Sequence, residues 1–319
     1  MTPVPSLSSH RNLAGFLSGL ARPLPETVRA ASGGARSDVE LQPVLGRVAA
    51  SGHPPESASA LAELWADLNP STRRQLARPL LPGPDGYVRL GARRAVQTST
   101  TTCGGAVLVA LLAAGDPVVA TWLLTGRRLG ALPREISGVA GTAAADEDDE
   151  NAPARRFAAA QGAMQRVTSR HALGLLSWPV ALGTPPWTAA RHARFPGVRY
   201  SHRPVDDSAR PAMMRLLAWI RSSLERGVPV PLYSGGDLVK GIASAVPRHV
   251  VLAVPAGPDA PVGTIAVYEP TRGKVHHVVV ADLVARSDPH PALGEWTHVC
   301  WAVLPHATRA PGAGARPLR

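Results

Sequence analysis

Gln97-Thr98-Ser99-Thr100-Thr101-Thr102-Cys103-Gly104-Gly105-Ala106-Val107-Leu108-Val109-Ala110-Leu111-Leu112-Ala113-Ala114-Gly115-Asp116 is the stretch that decides how the chain is read. Thr98 to Thr102 are hydroxyl residues that compete with a helix for backbone hydrogen bonds. The apolar run behind them ends at Gly115-Asp116-Pro117, a strong stop signal. Cys103 is therefore expected on the first turn of a helix, with Thr102 as its cap. Free N–H groups and the positive end of the dipole favour a thiolate there, which is what makes a cysteine nucleophilic. Gly104 and Gly105 leave the sulfur open on one side. Ala106 to Ala114 is apolar all round, as in a helix buried in a core.

Moving outward, 319 residues are ample for a large core. The net charge of +11 is almost wholly arginine, since Lys240 and Lys274 are the only lysines. The arginines are scattered, so no nucleic-acid surface is expected. Two distant cysteines, Cys103 and Cys300, imply no disulfide framework. No charged segment leads into an apolar core at the start, and no apolar run is long enough to span a membrane. A soluble, cytoplasmic protein without membrane partners is the expectation; the oligomeric state is not legible.

Residues 1–55, rich in Pro, Ser, Gly and Ala, read as an irregular extension with a short helical suggestion at Leu13–Leu20. Residues 56–85 form a helical segment in which Asn69-Pro70-Ser71 interrupts the pattern. Tyr87–Leu90 alternates like a short strand. Beyond the central helix, Val118–Leu124 reads as a helix or strand, Asp146–Glu150 as a solvated acidic loop, Arg155–Leu175 as an amphipathic helix, and Ser177–Asp207 as a loop region. Ser208–Arg226 is the clearest amphipathic helix, with Met213, Leu216, Leu217, Ile220 and Leu224 on one face.

Strands then follow: Val228–Tyr233, His249–Pro255, Thr264–Tyr268, Lys274–Val280 and Thr297–Leu304. A brief helical turn, Ala281–Val284, precedes the last. Residues 306–319 read as a disordered tail. Helices first and an antiparallel sheet second is an α+β order.

A nucleophilic cysteine needs a base, a group that orients the base, and donors for an oxyanion. His249 opens a valine-rich strand and is the candidate base. Glu269 ends the next strand, where a carboxylate can meet the imidazole on its Nδ1 side. Gln97 offers an amide six residues before Cys103. For His276-His277 and His298 no carboxylate or cysteine falls at ligand spacing, so neither a metal nor another cofactor is expected. Cys300, within the closing strand, reads as an inert core residue.

Gln97, Cys103-Gly104, Gly227-Val228-Pro229-Val230, His249-Val250-Val251-Leu252 and Glu269-Pro270-Thr271-Arg272-Gly273 occur in this order. That succession resembles the papain-like cysteine peptidases, closest to the bacterial peptidase C39-like branch, over residues 86–305. The resemblance implies a papain-like fold with the nucleophile helix packed on a C-terminal sheet. It implies Cys103 as nucleophile, His249 as base and acid, Glu269 as orienter and Gln97 as oxyanion donor. The expected function is hydrolysis of a peptide or isopeptide bond through an acyl-enzyme, with a peptide or protein as substrate. Acyl transfer or deamidation uses the same groups, and an inactive binding module shares the fold. The chain departs from the pattern in carrying glutamate where the family has Asp or Asn. It also has a longer path from Cys103 to His249, which reads as an insertion at 118–207.

Overall fold

Valine-rich segments that are apolar on both faces build the centre of the molecule. The structure, a computed structural model, describes residues 40–139, 141, 149–235, 247–284 and 286–308. Most of the N-terminal extension, Asp146 to Asp148 of the acidic run and residues 309–319 of the tail lie outside the described residues.

Among the described residues, helices come first: α1 (Leu41–Ala50), α2 (Pro55–Asp67) and α3 (Pro70–Ala77). A two-residue hairpin, β1 (Arg89–Leu90) with β2 (Arg93–Arg94), leads to α4 (Cys103–Gly115) and α5 (Pro117–Thr125). Then come α6 (Ala152–Ser169), α7 (Pro186–His192), β3 (Val198–Pro204) and α8 (Arg210–Glu225). The chain closes with β4 (Val230–Gly235), β5 (Pro247–Val254), β6 (Thr264–Glu269), β7 (Lys274–Val279) and β8 (His298–Ala307). Strands β3 to β8 form one antiparallel sheet in the order β3-β8-β4-β5-β6-β7. The architecture is α+β.

Each face of the sheet has its own core. On β5, Val250, Leu252 and Val254 join Tyr233 and Tyr268 in a core shared with α1 to α6. Val251 and Ala253 alternate to the other face, where Met213, Leu216, Leu217 and Ile220 of α8 cover them. Helix α4 is buried along almost its whole length. Removing each of Val107, Leu108, Val109, Leu111 and Leu112 from water contributes roughly 1.5–3 kcal/mol. Asp116 stops α4 and caps α5, accepting a hydrogen bond of 2.9 Å from Val118 N. The two apolar helices meet at 114°, and no single described helix is long and apolar enough to cross a membrane.

Four expectations need correcting. Residues 41–50 of the extension are helical: Leu41, Val44, Leu45 and Val48 have helical spacing, and Pro43 is tolerated in the first turn. The amphipathic helix spans 152–169 and stops six residues before Leu175, because Arg170 takes an extended conformation. The loop region 177–207 contains α7 and the edge strand β3, whose mostly exposed side chains give weak alternation. Finally, β8 runs to Ala307, pairing His306 with Arg199 and Ala307 with Val198, so 306–307 are strand and not tail.

The segment 118–207 is also built into the body of the fold. A Cβ on Gly105 would lie 2.6 Å from the Gln161 carbonyl oxygen, so α4 and α6 cross at backbone contact where only glycine fits. The same segment supplies the edge strand that pairs with β8.

Candidate active site

Thr102 occupies the N-cap position of α4 but caps nothing in the helix. Its hydroxyl turns back to the preceding loop, accepting from Thr98 N at 3.1 Å and Ser99 N at 2.9 Å and donating to Ser99 O at 3.0 Å. The cap expected from sequence is thus diverted, and among the described residues no side chain takes the first N–H groups of the helix. Those N–H groups, beginning with that of Cys103, have no acceptor within the helix and point toward its N-terminal end.

Two residues unnoticed in the sequence hold the loop before Cys103. Gln161 of α6 accepts from Thr98 N at 3.1 Å and donates to Val96 O at 2.9 Å. Gln165, one turn on, donates to Thr101 O at 2.8 Å. Both side chains are buried. Their signal in the sequence is two amides four residues apart on the apolar face of an amphipathic helix.

Glu269 and His249 meet in the interior. His249 is the third residue of β5, Glu269 the last of β6, and they are 6 % and 1 % exposed. The imidazole Nε2 lies 2.8 Å from Glu269 Oε1. The sequence had placed the carboxylate on the Nδ1 side; it takes Nε2 instead, which leaves Nδ1 as the nitrogen free for another partner. Cys103 stands close enough to this imidazole to raise its pKa. Thr271 N donates to Glu269 Oε1 at 2.7 Å and Arg272 N to Oε2 at 3.0 Å. The extra methylene of glutamate is absorbed as the side chain folds over its own turn.

Burial alone would lower the pKa of His249. Hydrogen bonds with Cys103 and Glu269, and their charges, outweigh it and raise the imidazole to about 9. For Glu269, burial pushes the pKa up, but His249 and Thr271 more than reverse it and hold the carboxyl below its ordinary range. An imidazolium between a carboxylate and a sulfur is the state these shifts describe.

Gly294 closes over the base. It has φ +68°, and a Cβ there would lie 2.3 Å from His249 Cδ2 and 2.7 Å from Nε2. Both the left-handed backbone and the contact exclude other residues. Ser234, the cross-strand partner of His249, anchors the turn that carries Gly294 by donating to Leu293 O at 2.7 Å.

The remaining expected residues sit as follows. Gln97 donates through Nε2 to Ser99 O at 2.8 Å, and its own N–H is bonded to Pro270 O. Cys300 is half-buried, lies 3.5 Å from Tyr233 O, and burial pushes its thiol up to about 12. His298 pairs with Asp207 at 3.1 Å, and His276 and His277 stand on opposite faces of β7. Other histidine–carboxylate pairs, His53–Asp116 and His192–Glu135, are structural ties elsewhere in the helical layer. Among the described residues no three His, Cys, Asp or Glu side chains are grouped as metal ligands would be.

Comparison with models of known protein families and with characterised proteins returns no match, so residues and geometry carry the functional reading.

Proposed function

We propose that the chain is a cysteine-nucleophile hydrolase of papain-like architecture, acting on a peptide or other amide carbonyl. The observation that carries this reading is the buried series of Cys103, His249 and Glu269, with the sulfur at the uncapped start of α4. Cys103 thiolate attacks the carbonyl carbon, forming the C–S bond, and the oxyanion meets the Cys103 N–H and the second amide hydrogen of Gln97. His249 gives its proton to the leaving nitrogen as the C–N bond breaks. Neutral His249 then takes a proton from water, which attacks the thioester and releases the acid, returning the sulfur as thiolate. Glu269 keeps the ring oriented and stabilises its charged form.

A second reading, an inactive binding module on the same fold, draws on one observation: Cys103 is only 2 % exposed. Labelling by a peptidyl fluoromethyl ketone separates the two. In that reaction the sulfur–carbon bond replaces carbon–fluorine and fluoride leaves. Hydrolase chemistry requires one adduct on the intact protein, mapped to Cys103 and absent from Cys103→Ala. An unlabelled parent protein, with Cys103 still alkylated after unfolding, would establish the binding module.

A further inference from the structure

Nine large apolar side chains are exposed among the described residues, and five of them fall in the single loop 172–183. Leu175 is 95 % exposed, Leu176 68 %, Val180 51 %, Leu173 49 % and Leu182 39 %. Apolar surface concentrated in this way marks a binding surface in a water-soluble fold. The loop contains no charged residue.

It is also firmly built. Leu173 and Leu176 exchange backbone hydrogen bonds, Trp178 N donates to Ser169 O at 2.8 Å, and Trp187 Nε1 donates to Ala172 O at 2.8 Å. Trp178 stands edge-on to Trp187 with ring centroids 5.3 Å apart. Positive φ at His171, Gly174 and Gly183 fixes the turns that throw the leucines outward.

The C-terminal end of the loop packs against the turn that carries the nucleophile. A Cβ on Gly104 would lie 2.5 Å from Thr184 Cβ, so Thr184 is seated directly against the residue after Cys103. A Cβ on Gly183 would come within 3.8 Å of Thr101 O, and Gln165 reaches the same carbonyl from α6. The loop is therefore tied at its C-terminal end to the turn that carries Cys103.

We infer that loop 172–183 is the wall on which the substrate's apolar side chains rest, and that the substrate is a peptide segment with large apolar residues beside the bond attacked. This rests on the hydrolase reading above. A lipid surface is the other occupant such leucines could meet. The loop, however, offers no lysine or arginine to anionic headgroups and is packed at its base against the sulfur-bearing turn, which favours a substrate.

The test compares rates of Cys103 labelling by fluoromethyl ketones carrying Leu-Leu, Ser-Ser or Asp-Asp, each divided by the iodoacetamide rate of the same protein. The Leu-Leu ratio should exceed the others about tenfold or more, and Leu175→Ser with Leu176→Ser should lower it about tenfold, as loss of apolar contact in a binding site does. Both changes are at exposed positions, and a thermal melt checks that the variant folds. Equal ratios for the three probes, or a Leu-Leu ratio unmoved by the variant, would overturn the inference while leaving the hydrolase reading intact. Sedimentation with phosphatidylcholine–phosphatidylglycerol vesicles identifies the lipid alternative: vesicle binding that the variant abolishes, with the probe preference kept, also overturns it. No reaction with any peptidyl probe is a different failure, that of the hydrolase reading, and the inference falls with it.

Discussion

Glu269 shares its two oxygens among His249 Nε2, Thr271 N and Arg272 N, so the carboxylate is fixed from its own turn as well as by the base. Glu269→Gln keeps the shape but exchanges an acceptor for an NH2 group that must face either an N–H of the turn or the imidazolium. Losing a charge-assisted hydrogen bond is worth about 1.5–3 kcal/mol, so turnover on a reactive ester or peptide should fall roughly 10- to 100-fold, less than in Cys103→Ala. Unchanged turnover in Glu269→Ala would reduce Glu269 to a turn residue. The two cysteines give a second check. Burial holds the Cys300 thiol near 12, so at pH 6 to 7 iodoacetamide should alkylate Cys103 of the folded protein well ahead of Cys300, as peptide mapping would read out. Comparable labelling would remove the case for an activated sulfur. Gly294→Ala is expected to destabilise by at least the 1–2 kcal/mol of a left-handed non-glycine residue, with further loss as the His249 ring is pushed aside. A urea titration beside an activity assay measures both.

The contact of α4 with α6 is where element packing and site geometry meet. Gly105→Ala drives a methyl into the Gln161 backbone, a contact that can be relieved only by moving one helix; overpacking of this kind costs about 1–3 kcal/mol. Because Gln161 and Gln165 also hold the loop before Cys103, Gly105→Ala should reduce Cys103 alkylation more than its loss of stability explains. If thermal melts show the loss and alkylation is untouched, α6 serves only as packing. The central helix and the five closing strands were legible in the sequence because each is a short apolar run between turn residues. The edge strand β3 was not, since a strand with one neighbour and an exposed face carries little alternation. Helix α1 was missed because Pro43 and the Pro/Gly-rich surroundings masked its spacing. At the site, Cys103, His249 and Glu269 were readable by residue type and order. Gln161, Gln165, Ser234 and Gly294 were not, because their roles depend on what crosses over them in space.

Across the whole molecule the same groups impose a pH dependence. His249 titrates at about 9 in the folded chain against 6.5 for an unperturbed histidine, so the folded state holds that proton more tightly. Its stabilisation is complete below pH 6.5 and is lost as pH rises through 9, on the order of 3 kcal/mol for a shift of this size. Glu135 acts with the opposite sign. Burial disfavours its charge, but hydrogen bonds from His192 and Arg194 bring it down to about 2, so its contribution is present above 4.5 and is lost as pH falls toward 2. Glu269, also lowered, adds to the loss on the acid side. Burial lowers His276, His290 and His306, so their folded-state advantage exists above 6.5 and fades below it. Together these place maximal stability near pH 6.5. Burial raises Cys300 from 9 to about 12, so its contribution is lost above pH 9, and the decline up to pH 9 reports chiefly on His249. Cys103→Ala removes a group that raises the His249 pKa while burial still opposes the charge. The His249 pKa should therefore drop, and the alkaline decline should begin at lower pH than in the parent. Urea midpoints of both proteins at pH 5.5, 6.5, 7.5 and 9, with the His249 ring followed by NMR, test this directly. A parent midpoint that is flat from pH 6.5 to 9, or a His249 titration unmoved by loss of the sulfur, would show that the imidazole is not paired with Cys103.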